Sequence, residues 1–277
     1  MKIMLLMPCL MLENNREKNI EAQKFALENY KGIDKFVIYD QCYTEKDYLQ
    51  GVTYIGNTKY KEGFIKPRNE LLKYFYNSDY DYAVWMDANK TVSKTALNDF
   101  NTLIDAIKND KIELDAIFST IGINISPERM EIKKRPDYFK YIYLLYKIRG
   151  YYYFHGMFMK NYKKYYDDEI YISDKCDVWK GLNEDVYFAI LLRKIYKTYL
   201  CPTIVINTPS SNTSTWMTNK GSYDYPPVDY PILREMAEEE SKKHKNRLSN
   251  KSDNVYKLDR IKDETINYLK PYKKRGK

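Results

Sequence analysis

The sequence has few cysteines and no long hydrophobic run. Only 4 of its 277 residues are cysteines, and none has the paired spacing or the neighbouring histidines of a zinc site. This usage predicts reduced thiols in a cytoplasmic protein. No apolar run approaches the roughly 18 residues that span a bilayer, so we predict no transmembrane segment. The apolar opening, residues 1–12, contains Pro8 and lacks a small-residue cleavage site, so it is interpreted as a buried strand and not as a signal peptide.

Positive charge is concentrated at one end of the chain. The net formal charge is +8, yet residues 241–277 hold 13 Lys or Arg and 4 Asp or Glu, while residues 1–240 are close to neutral. A basic tail indicates an anionic partner, and a solubilising tail is the simpler alternative. With 44% hydrophobic residues, the chain as a whole is expected to fold around a substantial core.

Continuous apolar runs alternate with amphipathic segments, which is typical of an α/β fold with a mostly parallel sheet covered by helices. Strands are predicted at residues 2–7, 35–39, 52–55, 82–86, 116–120, 153–159 and 203–207. Helices are predicted at residues 19–30, 67–76, 96–107, 184–196 and 232–245. We expect one catalytic domain over residues 1–207, followed by a loop and a basic helical extension over residues 208–277.

Polar residues follow three of the predicted strands. Pro8 and then Glu13, Asn14 and Asn15 come after the first strand, Asp40 after the second and Asp87 after the fourth. Ligands of open α/β sheets bind beyond the carboxyl ends of the strands, where such side chains can contact a nucleotide or a cation. A single aspartate at such a place is also a common turn or cap residue. We therefore predict a nucleotide site from the three strand ends taken together.

The stretch GFIKPRNELLKYFYNSDYDYAVWMDANKTV, residues 63–92, resembles the core of family-2-type glycosyltransferases of the GT-A fold. In that family an Arg-Asn pair opens a helix and an acidic motif, DxD, ends the following strand, which places Arg68 and Asp87 in the site. The segment IYDQCYTEKD resembles the family's acidic turn and implies that Asp40 contacts the nucleotide. The resemblance covers about residues 1–207 and implies a GT-A, Rossmann-like fold.

The resemblance also implies a chemistry. The segment GLNEDVYFAILLRKIY resembles the family's acidic helix start, which implies that Asp185, with Glu184, is the catalytic base. A divalent cation, Mg²⁺ or Mn²⁺, would neutralise the leaving diphosphate, with Asp87 and Asn89 as its ligands. Arg68 would contact a phosphate. Because Asn89 is an amide where the motif has a carboxylate, we expect a weaker cation site.

The acceptor is predicted from charge and aromatic content. Residues 133–153 interleave basic and aromatic side chains, and with residues 241–277 they suggest an anionic polymer such as DNA. The candidate acceptor contacts are Lys134, Arg135, Tyr153 and His155. A hydrogen-bonded histidine beside the core is the simpler interpretation of His155, and a helix core that of the tyrosines.

In size and overall character the chain is similar to the T-even-type phage transferases that add a second sugar to glucosylated hydroxymethylcytosine DNA. That resemblance implies a phage enzyme that acts in the host cytoplasm. UDP-glucose is the expected donor because it is frequent in the glycosyltransferase family that the chain resembles. Two other functions stay open. One is a bacterial transferase that acts on teichoic acid, capsule or lipopolysaccharide, and the other is a non-catalytic nucleotide- or nucleic-acid-binding module.

Overall fold

The structure is a computed structural model, and it describes residues 1–94, 96–109, 115–121, 141–144, 156–207, 226–245, 255–257 and 268–269. Its strands are β1 (Ile3–Leu10), β2 (Lys35–Gln41), β3 (Val52–Thr58), β4 (Tyr82–Trp85), β5 (Thr91–Val92), β6 (Ala116–Ile121), β7 (Tyr141–Leu144), β8 (Met157–Lys160), β9 (Thr198–Asn207), β10 (Val255–Lys257) and β11 (Tyr268–Leu269). Its α-helices are α1 (Arg16–Asn29), α2 (Ile65–Tyr76), α3 (Leu97–Lys108), α4 (Tyr162–Tyr166), α5 (Glu184–Ile195) and α6 (Tyr230–Ser241).

The strands form one sheet in the order β11-β10-β7-β9-β6-β8-β4-β1-β2-β3, and β5 pairs with β9. Strands β3, β2, β1 and β4 are parallel neighbours. Strand β8 lies antiparallel between β4 and β6, and β9 is parallel to β6. In the part of the sheet ordered β9-β6-β8-β4-β1-β2-β3, every strand except β8 therefore runs in one direction. The carboxyl ends of these six strands share one edge of the sheet.

Two apolar layers cover the two faces of the sheet. The first contains Leu6 and Trp85 from the strands, packed against α2, α5 and α6. The second contains Leu5 and Val84, packed against α1 and α3. Alternate residues of each buried strand point to opposite faces, so the continuous apolar runs of β1 and β4 supply both layers. This arrangement confirms the predicted α/β class.

The predicted elements are found with shifted ends. Strand β1 continues through Pro8 to Leu10, and β9 begins at Thr198, five residues before the predicted start. The helix predicted at residues 232–245 is α6, which covers Tyr230–Ser241. A helical tail was predicted, but beyond α6 the described parts of the basic tail are the non-helical residues 242–245 and the strands β10 and β11. Strand β10 pairs with β7, inside the predicted basic and aromatic segment.

Within the described ranges, every helix is too short or too polar to cross a bilayer.

Candidate active site

Four charged residues meet at the carboxyl edge of the sheet. Arg68 lies in the first turn of α2, Asp87 follows β4, and Glu184 and Asp185 begin α5. The guanidinium of Arg68 donates to Glu184 Oε1 through Nη1, and its Nη2 lies 3.4 Å from Asp87 Oδ1. The structure therefore brings together four residues that are separated by up to 117 positions in the sequence.

Burial makes Arg68 the centre of this group. Its side chain is only 5% exposed, and its guanidinium lies 5.5 Å from the centre of the Phe64 ring. Burial alone would lower the pKa of Arg68, but the negative charges of Glu184, Asp87 and Asp185 together raise it above its ordinary value. Arg68 is thus a permanent cation at the start of α2, where the helix dipole adds further positive potential.

The two acidic residues of α5 have different surroundings. The Glu184 carboxylate is buried and accepts the Arg68 hydrogen bond, so it is already engaged. Asp185 is half-buried, and its Oδ1 accepts a hydrogen bond from the N–H of Val186 at 2.8 Å. Burial, followed by the neighbouring charge of Glu184, raises the pKa of Asp185 to about 7. A carboxylate with such a pKa is suited to accept a proton near neutral pH.

A tight turn fixes where α5 begins. Asp177 and Leu182 exchange two backbone hydrogen bonds of 2.9 Å, and a 3₁₀ turn lies between them. Gly181 closes this turn at φ 76°, and a Cβ atom there would lie 2.5 Å from the carbonyl oxygen of Pro227. The N–H of Asp229 donates to the Gly181 carbonyl at 2.9 Å. The segment leading into α6 therefore supports the turn that positions Asp185.

Asn69, the second residue of the Arg-Asn pair, has a structural role. Its side-chain amide donates to the Ile172 carbonyl and accepts from the Ile172 N–H, both at 2.9 Å. This pair of bonds holds the segment before α5 against α2. It therefore helps to bring Glu184 to Arg68.

Asp40 stands at the same edge of the sheet but on the other face. It is opposite Cys9 in the β1–β2 register, and Cys9 belongs to the layer packed on α1 and α3. Its carboxylate is buried and accepts from the Tyr48 hydroxyl at 3.0 Å and from the Asn57 N–H at 3.1 Å. The structure does not bring Asp40 into the charged group of Arg68, and its predicted contact with the nucleotide stays a prediction.

Aromatic side chains surround Asp40. The rings of Tyr43, Tyr48 and Tyr54 lie with their centres 4.7–5.5 Å apart, and Tyr48 is 41% exposed. Burial, followed by the hydrogen bond to Asp40, raises the pKa of Tyr48 to about 12. Its hydroxyl therefore stays protonated as the donor to Asp40. The sequence did not single out these three tyrosines, because the chain has 30 tyrosines spread along its length.

The other predicted contacts divide into described and undescribed residues. Pro8 is half-buried in β1, directly opposite Tyr39 of β2, and Asn89 is half-buried in the turn after Asp87. The acceptor candidates Lys134, Arg135, Tyr153 and His155 lie outside the described residues, as do residues 246–254, 258–267 and 270–277 of the basic tail.

The placed residues do not fit a divalent cation. Among the described residues, no cluster of three or more acidic, histidine or cysteine side chains could hold one. Asp87 is already close to the guanidinium of Arg68, Asn89 has no charge, and Lys90 brings a further ammonium group beside them. The cation stays a prediction of the sequence, and no step proposed below passes through it.

Comparisons with known proteins identify the fold. No protein-family model matches the chain, and a comparison with curated protein sequences gives no match. Among solved structures, residues 1–349 of S. aureus TarS are similar, both alone and in complex with UDP, each at 16% identity and a TM-score of 0.50. Each alignment covers 75% of this chain and 60% of the TarS fragment. The chain therefore has the α/β fold of GT-A glycosyltransferases and spans less than two thirds of those neighbours.

Proposed function

We propose that this chain is a glycosyltransferase that moves a sugar from a nucleoside-diphosphate donor to a hydroxyl group of an anionic polymer. The observation that carries the proposal is the meeting of Arg68, Asp87, Glu184 and Asp185 at the carboxyl edge of a GT-A sheet. Ligands of open α/β sheets bind at that edge. The charged group there contains both a buried, permanently charged arginine and a carboxylate with a raised pKa.

In the proposed reaction, Asp185 is the general base. The acceptor oxygen attacks the anomeric carbon of the donor sugar and forms the new C–O bond, while the bond from that carbon to the phosphate oxygen breaks. The acceptor proton passes to the Asp185 carboxylate, and the nucleoside diphosphate leaves with the bonding electron pair. Glu184 holds Arg68 in place, so it is a positioning residue and not a second base.

The donor is proposed to carry uridine. The TarS fragment with the same fold was crystallised with UDP, and UDP-glucose remains our first candidate donor. We expect one nucleotide of a panel of UDP, GDP, CDP and ADP to raise the stability of the protein by about 2.7 kcal/mol at 100 times its dissociation constant. Thermal unfolding at several ligand concentrations measures this shift. Equal melting temperatures with all four nucleotides would contradict a nucleotide-sugar enzyme.

The acceptor is proposed from charge, with hydroxymethylcytosine-containing or glucosylated DNA as the first candidate. Residues 241–277 carry 13 basic and 4 acidic side chains, a surplus that phosphate groups would neutralise. We expect the protein to shift such duplex DNA in a gel at low salt, with an affinity that falls steeply as salt rises. Sedimentation with vesicles of anionic lipid, without a DNA shift, would instead favour a polymer of the bacterial cell surface as acceptor.

A further inference from the structure

Lys90 is a half-buried lysine beside the charged group of the candidate site. It ends the turn after β4, where its N–H donates to the Asp87 carbonyl at 3.0 Å. The side chain is half-buried, and among the described residues its ammonium has neither a hydrogen bond nor an ion pair. An ammonium that loses part of its hydration without gaining an acceptor is destabilising. An anionic ligand at this edge of the sheet would supply the acceptor that the described side chains do not.

The charges around Lys90 also favour an anionic ligand at this position. Burial lowers the pKa of Lys90, and the charge of Asp87 opposes that effect. Asp87 itself lies beside Arg68, whose guanidinium also binds Glu184. Because Arg68 is shared between two carboxylates, it has little positive charge left for a ligand. Among the described residues, Lys90 is the cation of this group that is hydrogen-bonded to no carboxylate.

We propose that Lys90 binds the diphosphate of the donor and neutralises the leaving group, the part that a divalent cation would otherwise take. This inference rests on the proposed function. Lys90 makes and breaks no covalent bond and remains an ammonium throughout. As the bond between sugar and phosphate breaks, negative charge builds up on the phosphate oxygen, so the contact strengthens during the reaction.

Position and sequence agree with this assignment. Lys90 follows directly after Asp87-Ala88-Asn89, where the second carboxylate of the acidic motif is replaced by an amide. The amide of Asn89 makes a weaker ligand for a metal ion, and the ammonium of Lys90, one residue later, brings a positive charge of the kind that a metal ion would supply. The start of α2, with no acidic residue in its first turn, adds positive potential at the same edge.

The test compares nucleotide binding by wild type, Lys90→Met and Lys94→Met in titration calorimetry. Lys94 is an exposed lysine four residues away, so Lys94→Met makes the same charge change outside the site. UDP, GDP, CDP and ADP are titrated with Mg²⁺ and again with excess EDTA, and the matching nucleoside is titrated as a probe without phosphate. Thermal unfolding of each variant checks the fold. Lys90→Met removes a half-buried cation that is hydrogen-bonded to no carboxylate among the described residues, so the variant should fold about as stably as wild type.

We expect Lys90→Met to weaken binding of the preferred diphosphate by about 10-fold or more and to leave nucleoside binding unchanged. Lys94→Met should stay within about twofold of wild type, Lys90→Arg should retain most of the affinity, and EDTA should not weaken wild-type binding. If a diphosphate binds but Lys90→Met binds it equally well, or if EDTA abolishes wild-type binding, the inference is wrong while the proposed function stands. If wild type binds none of the four diphosphates, both are wrong.

Discussion

Replacing Asp185 with asparagine is expected to lower turnover by about 100-fold or more while the fold is retained. Asparagine keeps the shape of the side chain and an oxygen that can accept the Val186 N–H, but it cannot take the acceptor proton. Turnover is measured as release of the nucleoside diphosphate from the donor that binds most tightly. The exposed Asp174, replaced in the same way, serves as the control and should leave turnover unchanged.

The pH dependence of the same variant gives a second measurement. Only the deprotonated Asp185 can accept a proton, and burial raises its pKa to about 7. Wild-type turnover should therefore rise as the pH increases through about 7, and the residual activity of Asp185→Asn should lack this rise. Nearly full activity in Asp185→Asn would show that another group is the base.

The stability of the wild-type protein should depend on pH in the direction opposite to its turnover. Because folding raises the pKa of Asp185, its protonation stabilises the folded state below the unfolded-state pKa, and that stability is lost as the pH rises through about 7. At about pH 8 the free energy of unfolding of the Asp185→Asn variant should therefore be higher than that of wild type, by an amount on the order of 1 kcal/mol. Toward about pH 4 the difference should vanish.

Replacing Arg68 with methionine is expected to lower the free energy of unfolding by about 3–5 kcal/mol, the largest stability effect that we predict. The change leaves Glu184 buried without the guanidinium of Arg68 and removes a cation beside Asp87. Urea unfolding followed by circular dichroism measures the loss. Adding Glu184→Gln to Arg68→Met should restore part of it, because the buried carboxylate is then no longer charged.

A lysine in the same turn of α2 provides the control for Arg68. Lys66 forms its ion pair with Glu62 at the surface, and its side chain is 58% exposed. Exposed pairs contribute little, so Lys66→Met should cost less than about 1 kcal/mol. Equal losses for Arg68→Met and Lys66→Met would contradict a buried charge network at the site.

Much of the sheet could be predicted from the sequence, because buried strands are visible as continuous apolar runs. Strand β1 was predicted too short because a proline usually ends a strand. At Pro8 the neighbouring strand β4 has already ended, so the missing N–H costs no ladder bond on that side. Strands β10 and β11 lie in a basic segment and have no apolar alternation, and only their pairing with the rest of the sheet defines them.

The site was predictable where a motif fixes both residue type and spacing. Arg68, Asp87 and the start of α5 belong to such motifs. The sequence could not predict that Glu184, and not Asp185, binds Arg68. This choice depends on which carboxylate lies within reach of a guanidinium 116 positions earlier in the chain. The hydrogen bonds that engage Asp40 depend in the same way on Tyr48 and Asn57, which no motif includes. Lys90 gave a weak signal, a single lysine directly after the acidic motif.

The contact between Gly181 and the segment 227–229 has a consequence for protein engineering. Deletions or exchanges meant to change acceptor choice would naturally target the part of the chain after β9. A cut that removes Pro227 and Asp229 would also take away the support of the turn before α5. Chimeras should therefore retain residues 226–241 from the same parent as Asp185, or loss of activity will be mistaken for loss of acceptor recognition.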